Sequence, residues 1–281
     1  MTSGPDPMHT VQAHGAEIPA LGFGTWELTG DEAVRATVHA LGVGYRHIDT
    51  AQIYGNEAEV GRALAESPVA RDDVFLTTKV WVEHHGRREM APSVEESLRK
   101  LGTDRVDLLL LHWPSRDLPL TETLEALAAV RERGLTRHIG VSNFTPSLLA
   151  EAISLSPAPL VTNQVEYHPF LDQQKVLRAT REAGMALTAY SPIARGRVME
   201  SEALREIGAR HGKSPAQVAI RWLLQQEGVA TIPKAARPEH CEANFRVFDF
   251  ALDEGEMQAI HGLAEPGGRM VSPEGVAPDW E

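Results

Sequence analysis

Short runs rich in β-branched and aliphatic residues recur along this chain, and stretches with a helical spacing of apolar positions separate them. The runs that predict strands are 21–26, 46–51, 74–80, 106–113, 137–143, 160–167, 185–192 and 229–234. Helical patterns cover 31–41, 92–101, 121–133, 145–154 and 173–183, and 201–226 predicts two further helices. Strands that alternate with helices in this way are parallel, and eight such units favour closure into a (β/α)8 barrel over an open sheet.

A separate element is predicted ahead of the barrel. Residues 10–18 predict a β-hairpin that turns at His14 and Gly15, before the first barrel strand. The chain shows no internal repeat and no low-complexity segment. We therefore predict a single domain over 1–281, with 1–8 as a disordered extension of it.

The C-terminal segment 265–281 contains three prolines and three glycines and predicts a tail without a regular element. Met270, Val271 and Trp280 are apolar residues within this otherwise polar and turn-rich segment. In a disordered end these apolar side chains would have nothing to pack against. We therefore expect the tail to fold over the mouth of the barrel and to shape the substrate pocket.

Composition limits the classes of partner and the cellular compartment that the sequence predicts. The net charge of −12 argues against a nucleic-acid or anionic-membrane partner. The longest apolar run, 106–113, is too short to span a bilayer, and the first ten residues lack a signal-peptide pattern. The single cysteine, Cys241, excludes an internal disulfide. We expect a cytoplasmic monomer whose partner is a small molecule.

Several common binding motifs are absent. Glu27 stands where the third glycine of a dinucleotide-binding fingerprint would follow Gly22 and Gly24. One cysteine cannot supply a four-thiolate zinc site, and the adjacent His84 and His85 are poor joint ligands. The sequence therefore predicts neither a Rossmann unit nor a metal site.

Polar residues stand where three consecutive predicted strands end. Asp49 ends the second strand, Lys79 the third and His112 the fourth, and Tyr54 lies in the loop after the second strand. Each alone has an ordinary structural explanation, such as a helix cap or a packed ring. Because the carboxyl ends of barrel strands converge on one mouth, where active sites of this fold lie, the four together predict an active site.

These four side chains suit delivery of a proton to a carbonyl oxygen. A tyrosine hydroxyl titrates near 10, and we expect the neighbouring Lys79 ammonium to lower the pKa of Tyr54. Asp49 would keep Lys79 charged and oriented, and His112 could hydrogen-bond the substrate oxygen. None of the four supplies a hydride, so the site needs a separate reductant.

Five segments together resemble the aldo-keto reductases: GYRHIDTAQIYGNE, TTKVW, VDLLLLHWP, IGVSNF and NQVEYHP. The resemblance runs from about Leu21 to the C-terminus, and the ending RMVSPEGVAPDW is similar to a bacterial subgroup that acts on 2,5-diketo-D-gluconate. It implies NAD(P)H-dependent reduction of an aldehyde or ketone, such as a 2-ketoaldehyde or a diketo sugar acid. It also implies that the tetrad Asp49, Tyr54, Lys79 and His112 is catalytic, with Tyr54 as the general acid.

The resemblance further implies a cofactor site and a substrate site. Ser142, Asn143 and Gln164 would hold the nicotinamide carboxamide, and Tyr190 would stack on the ring. The implied cofactor-binding residues are Thr25, Trp26, Asp49, Ser142, Asn143, Gln164, Tyr190, Ser191, Ile193, Lys234, Ala235, Arg237, His240 and Asn244. The implied substrate-binding residues are Trp26, Tyr54, Trp81, His112 and Trp113.

The adenosine clamp departs from the family pattern. Ala235, His240 and Ala243 stand where the family usually has a serine, an arginine and a glutamate, whereas Lys234 and Asn244 match it. A neutral imidazole offers one donor and no charge, while an arginine could make two bonds to a 2′-phosphate. We therefore expect NADPH to be preferred and NADH to be usable.

Two other functions remain open at this point. A hydrolase on the same barrel would need two facing carboxylates, for which Asp49 with Glu83 or Glu166 are the candidates. In that case Lys79 and Tyr54 would lack roles. A non-catalytic nicotinamide-binding regulatory subunit is the other alternative, and the intact tetrad argues against it.

Overall fold

The computed structural model describes residues 9–281, so the predicted extension over 1–8 lies outside the described residues. Eight parallel strands pair in sequential order, from Phe23–Gly24 (β3) to Val229–Thr231 (β10). The first and last strands also meet, because Leu21 bridges Thr231 in parallel and the Gly22 amide donates to the Thr231 carbonyl at 2.8 Å. The sheet therefore closes, and the predicted (β/α)8 barrel is confirmed.

The elements alternate along the chain as the pattern of apolar runs predicts. The strands are β1 Thr10–Ala13, β2 Ala16–Pro19, β3 Phe23–Gly24, β4 His47–Asp49, β5 Phe75–Val80, β6 Val106–Leu111, β7 Thr136–Ser142, β8 Leu160–Glu166, β9 Ala186–Tyr190 and β10 Val229–Thr231. The helices are α1 Gly30–Val43, α2 Glu57–Glu66, α3 Met90–Leu101, α4 Leu120–Glu132, α5 Pro146–Leu155, α6 Gln174–Glu182, α7 Glu202–His211, α8 Pro215–Leu224, α9 Pro238–Phe245 and α10 Glu254–His261. Within residues 9–281 the structure has no helix long and apolar enough to cross a bilayer.

The N-terminal hairpin is confirmed. Strands β1 and β2 pair antiparallel, and His14 and Gly15 adopt positive φ angles of 47° and 84° in the turn between them. The His14 ring contacts the Ala183 carbonyl at 2.9 Å, just before β9 begins. Because the amino ends of the barrel strands lie there, the hairpin lies at the end of the barrel opposite the mouth.

Helix α2 is one of three helices that the hydrophobic pattern did not predict. Helix α2 packs against α3 through small residues, and a Cβ at Gly61 would lie 2.4 Å from the Lys100 carbonyl oxygen. Helices α9 and α10 are short and also went unpredicted.

The first and last barrel strands are shorter than predicted. The two helices predicted within 201–226 and the irregular tail agree with the prediction. Strand β3 covers Phe23–Gly24 rather than 21–26, with Leu21 forming only an isolated bridge, and β10 ends at Thr231 rather than at 234. The two helices predicted within 201–226 are α7 and α8. Ser214 caps α8 with a reciprocal capping box and Pro215 opens it. The predicted tail over 265–281 contains no helix or strand.

Candidate active site

The four predicted catalytic side chains meet at the mouth of the barrel. Asp49 is the last residue of β4, Lys79 lies near the end of β5 and His112 directly follows β6. Tyr54 ends a short 3₁₀ turn after β4 and reaches back toward Lys79. Parallel strands in one closed sheet place their carboxyl ends together, which is why residues distant in sequence become neighbours.

A buried ammonium connects the carboxylate to the phenol. Lys79 Nζ donates to Asp49 Oδ1 at 2.5 Å, to the Thr50 carbonyl at 2.9 Å and to Tyr54 Oη at 3.1 Å. These three acceptors use all three donors of the ammonium. Burial alone would lower the pKa of Lys79, but Asp49 and Tyr54 outweigh it, so the pKa lies above its ordinary value. Lys79 therefore stays charged and oriented.

The expected lowering of the Tyr54 pKa is wrong in its net direction. Burial of the phenol is the largest effect and raises its pKa, and the Lys79 charge and hydrogen bond only partly oppose it. The ring is enclosed by Trp26 at 4.8 Å and by His112 at 5.6 Å between centroids. The consequence is a hydroxyl that keeps its proton at neutral pH.

His112 is a neutral imidazole at the floor of the cleft. Burial lowers its pKa well below the ordinary value, and the nearby Lys79 and His85 lower it further. The Trp81 ring meets the imidazole edge-on at 5.4 Å. Within residues 9–281, the buried Nδ1 of His112 has no hydrogen-bond partner. A neutral ring carries one N–H, which makes His112 a hydrogen-bond donor and not a proton source.

A cleft of about 1040 Å³ opens over these residues. The implied substrate residues all line it: Trp26, Tyr54, Trp81, His112 and Trp113. The implied cofactor residues line it too, with the exception of Ala235 and Arg237. Ala235 packs into the core, and the Arg237 side chain is 70% exposed and lies 3.9 Å from Glu239. The structure thus leaves Arg237 outside the cleft wall.

Amide and hydroxyl side chains form one hydrogen-bonded group at the ends of β7, β8 and β9. Asn143 Nδ2 donates to the His112 carbonyl and to Ser142 Oγ, both at 3.0 Å, and Asn143 Oδ1 accepts from the Tyr190 hydroxyl at 2.8 Å. Gln164 Nε2 donates to Asp49 Oδ2 at 2.8 Å. This chain of bonds links the amide group directly to the Asp49–Lys79 pair.

The tail lies along the cleft, as expected. Met270, Val271, Ser272 and Pro273 line it. Farther along, the Trp280 ring packs edge-on against Trp113 at 6.2 Å. The apolar residues of the tail therefore form part of the wall above the tetrad.

Glu166, which ends β8, anchors this tail. Its carboxylate is fully buried and accepts the backbone N–H groups of Met270 and Val271, each at 2.9 Å. His168 Nε2 lies 3.0 Å from the same carboxylate and Arg269 Nη1 lies 3.9 Å from it. The sequence suggested Glu166 only as a candidate carboxylate for hydrolysis. An acid at a barrel-strand end within the NQVEYHP segment was the available signal, but its partners lie far along the chain.

The mouth loops contribute lining residues that the sequence pattern did not predict. Glu27 follows β3, and Arg195 and Met199 follow β9. Their position after barrel strands was a usable signal, because those loops build the mouth of this fold.

The geometry opposes the hydrolytic alternative. Glu83 does not line the cleft, and both oxygens of Glu166 bind tail N–H groups. Both oxygens of Asp49 are also engaged, by Lys79 and Gln164. Neither proposed pair therefore presents two facing carboxylates to a substrate. Within residues 9–281, the structure contains no group of three or more histidine, cysteine or acidic side chains able to hold a metal ion.

Comparisons with known proteins agree with this geometry. The model of the aldo/keto reductase family matches residues 20–265. The methylglyoxal reductase DkgB of Escherichia coli O157:H7 is 42% identical over 267 residues, which cover 94% of this chain and 99% of that protein. An aldo-keto reductase of Mycolicibacterium smegmatis is 41% identical over 257 residues, which cover 91% of this chain and 93% of its own.

Solved structures show the same relationship. A candidate 2,5-diketo-D-gluconic acid reductase B superposes with a TM-score of 0.96 at 55% identity, covering 98% of both chains. The Bombyx mori aldo-keto reductase in complex with NADP superposes with a TM-score of 0.85 at 32% identity, covering 94% of both chains. The resemblance recognised in the sequence motifs is confirmed by these matches. This chain belongs to the aldo/keto reductase family and is an oxidoreductase.

Proposed function

We propose that this protein reduces small aldehydes and ketones to alcohols with NADPH as the preferred reductant, and that Tyr54 donates the proton. The observation that carries the proposal is the hydrogen-bonded chain from Asp49 through Lys79 to the Tyr54 hydroxyl, beneath a cleft lined by aromatic rings. Two relatives support carbonyl reduction by name, one a methylglyoxal reductase and one a 2,5-diketo-D-gluconic acid reductase B.

The residues around the amide group fit a nicotinamide. A carboxamide has one acceptor and two donors, and the cleft wall holds the Ser142 hydroxyl and the Asn143 and Gln164 amides, groups that each carry donors and acceptors of their own. Tyr190 belongs to the same bonded group and offers a planar face for the ring. A reduced nicotinamide, when bound there, supplies the hydride that the tetrad lacks. Lys234, His240 and Asn244 also line the cleft and suit the phosphates and adenosine of the cofactor.

The tetrad then acts on the carbonyl oxygen. Tyr54 hydrogen-bonds this oxygen and transfers its proton as negative charge develops there. The charged Lys79 stabilises the phenolate that remains, and Asp49 keeps Lys79 in place. Neutral His112 donates a second hydrogen bond to the same oxygen. One hydride added to carbon and one proton added to oxygen complete the alcohol.

Reduction is tested by following oxidation of NADPH with methylglyoxal, in wild type and in Tyr54→Phe. The phenylalanine ring keeps the packing against Trp26 and removes only the hydroxyl. We expect turnover to fall at least ~100-fold, the usual scale for general acid catalysis, while the Kd for NADPH is retained. Turnover near the wild-type value in Tyr54→Phe would exclude Tyr54 as the proton donor. Absence of NADPH oxidation by wild type across a panel of aldehydes would contradict the proposed reaction.

A further inference from the structure

Asn56 stands at the start of helix α2 but does not cap it with its side chain. Asparagine is common at this position, because its side-chain oxygen can accept a free N–H group of the first helical turn. Within residues 9–281, no N–H group of this turn donates to the Asn56 side chain. The residue is nevertheless only 1% exposed. A buried amide that does not cap its own helix must have its partners elsewhere.

Those partners lie in the loops after β3 and β4. Asn56 Nδ2 donates to the Thr25 carbonyl at 2.8 Å and to the Leu28 carbonyl at 2.9 Å. Asn56 Oδ1 accepts the Thr50 hydroxyl at 2.8 Å. Both N–H donors and the oxygen of the amide are thus used. Because a carbonyl oxygen can only accept, the two bonds to the β3 loop require a donor at position 56.

The β3 loop forms a tight turn over 25–28. The Leu28 N–H group donates to the Thr25 carbonyl at 3.1 Å and closes the turn. Glu27, at the third position of the turn, has a φ of 64°, in the left-handed region that favours glycine. A residue other than glycine keeps such a conformation only where the surrounding structure fixes it. The two bonds from Asn56, to the first and fourth residues of the turn, fix it here.

The second residue of this turn is Trp26, and its indole lies beside the proposed proton donor. The Trp26 ring lines the cleft and packs against the Tyr54 ring with 4.8 Å between centroids. Since the indole is 44% exposed, its position depends strongly on the backbone of the turn. Asn56 follows Tyr54 by two positions, so one amide ties the turn that carries Trp26 to the loop that carries Tyr54.

We propose that Asn56 is a positioning residue, which holds Trp26 against Tyr54 and thereby shapes the aldehyde site above the tetrad. The inference rests on the proposed function, since that function assigns Tyr54 and the cleft to carbonyl reduction. Among the described residues that line the cleft, Asn56 is absent, so it acts through Trp26 and not on the substrate. Loss of its two N–H donors should release the turn and displace the indole.

The test is Asn56→Asp, assayed with benzaldehyde at saturating NADPH. Aspartate has almost the same shape and still accepts the Thr50 hydroxyl, but it places an oxygen against the Thr25 and Leu28 carbonyls. We expect KM for benzaldehyde to rise at least ~10-fold, because two hydrogen bonds that fix the turn are lost. Asn56→Ala removes the same donors without adding a charge or a repulsive oxygen, and it should raise KM in the same way.

A double-mutant cycle shows whether Asn56 acts through the indole. Trp26→Ala removes the ring that Asn56 is proposed to hold. We expect Asn56→Asp to raise KM for benzaldehyde in the wild-type background and to change it less than ~2-fold in the Trp26→Ala background.

Asp107→Asn is the matched control at the opposite end of the barrel. Asp107 is the second residue of β6, and its carboxylate accepts the Leu76 N–H group at 2.9 Å and Arg71 Nη2 at 3.0 Å. The substitution exchanges the same two side-chain types in the other direction. It should lower the unfolding temperature and leave KM for benzaldehyde within ~2-fold of wild type.

Three results would overturn the inference. An unchanged KM in both Asn56 variants would show that Asn56 contributes to stability alone. A rise of equal size with and without the Trp26 ring would show that Asn56 acts by another route. A rise confined to Asn56→Asp would assign the effect to the added charge. If wild type reduces no aldehyde, the proposed function itself fails and the inference fails with it, whereas an active wild type with one of these three results contradicts the inference alone.

Discussion

Replacing Glu166 by glutamine tests whether one buried carboxylate holds the C-terminal tail over the cleft. In the folded protein its two oxygens accept the N–H groups of Met270 and Val271 at 2.9 Å each. Glutamine has almost the same shape, but it offers a single oxygen and places an NH₂ group where the second acceptor stood. One backbone N–H group of the tail would therefore lose its acceptor, and Arg269 would lose its carboxylate neighbour.

The size of this effect follows from the contacts. A hydrogen bond to a charged group contributes about 1.5–3 kcal/mol, and a neutral one about 0.5–1.5 kcal/mol. Losing one bond and weakening the other by about 1 kcal/mol disfavours the docked tail by about 2.5–4 kcal/mol. That corresponds to roughly 100- to 1,000-fold in the docking equilibrium. The packing of Trp280 on Trp113 remains and offsets part of it.

The assay is steady-state kinetics on a panel of aldehydes, with tryptophan fluorescence and proteolysis of the tail as direct readouts of docking. We expect Glu166→Gln to raise KM for aldehydes at least ~10-fold and to leave the Kd for NADPH within ~3-fold, because the tail forms part of the wall above the tetrad. Glu274→Gln, which neutralises an exposed tail carboxylate, is the matched control and should resemble wild type.

Deletion of the tail separates anchoring from general damage to the barrel. If Glu166 acts through the tail, Glu166→Gln should change KM in the full chain and add nothing in a chain that ends before Gly267. An unchanged KM and an unchanged rate of tail proteolysis in the full-length variant would refute the anchoring role. Equal effects of the substitution with and without the tail would assign Glu166 to the barrel alone.

Three further outcomes are expected. His240→Arg should increase the ratio of kcat/KM for NADPH over NADH about 10-fold, because it adds a charged contact to the 2′-phosphate, and Lys234→Ala should decrease the ratio, because it removes one. An unchanged ratio in both variants would show that other residues bind the 2′-phosphate. Since burial raises the Tyr54 pKa and only the protonated phenol donates a proton, kcat/KM for reduction should stay constant through mildly alkaline pH and fall only above about pH 10. A decline of kcat/KM centred below about pH 9 would contradict the assignment of Tyr54 as the proton donor. Gly61→Ala should destabilise the fold by about 1–3 kcal/mol in thermal or urea unfolding, because the added Cβ would lie 2.4 Å from a backbone oxygen. The control Gly42→Ala, which has open space in α1, should be neutral or stabilise the fold by about 0.5–1 kcal/mol. Similar stabilities for the two variants would contradict the packing argument.

The barrel strands, the convergence of their polar ends and the N-terminal turn depend on local pattern, and the sequence alone predicts them. Short apolar runs ending in Asp49, Lys79 and His112 indicated both the barrel strands and the place where their polar ends converge. The turn at His14 and Gly15 was equally readable, because a positive φ is tolerated by few residues and glycine is the main one. These properties reside in neighbouring positions of the chain.

Only the tertiary structure decided the properties that depend on enclosure and on distant partners. The ammonium beside Tyr54 was foreseen, but the opposite and larger effect of burial was not, since the rings that enclose the phenol come from separate loops. Glu166 gained its role from backbone groups more than a hundred positions away, and the close approach of Gly61 to the Lys100 carbonyl is set by how two helices pack. Arg237 follows Lys234 by only three positions in sequence, yet it lies outside the cleft wall. Desolvation, close packing and side-chain direction are set by how the whole chain surrounds a residue, and sequence neighbours carry little information about that surrounding.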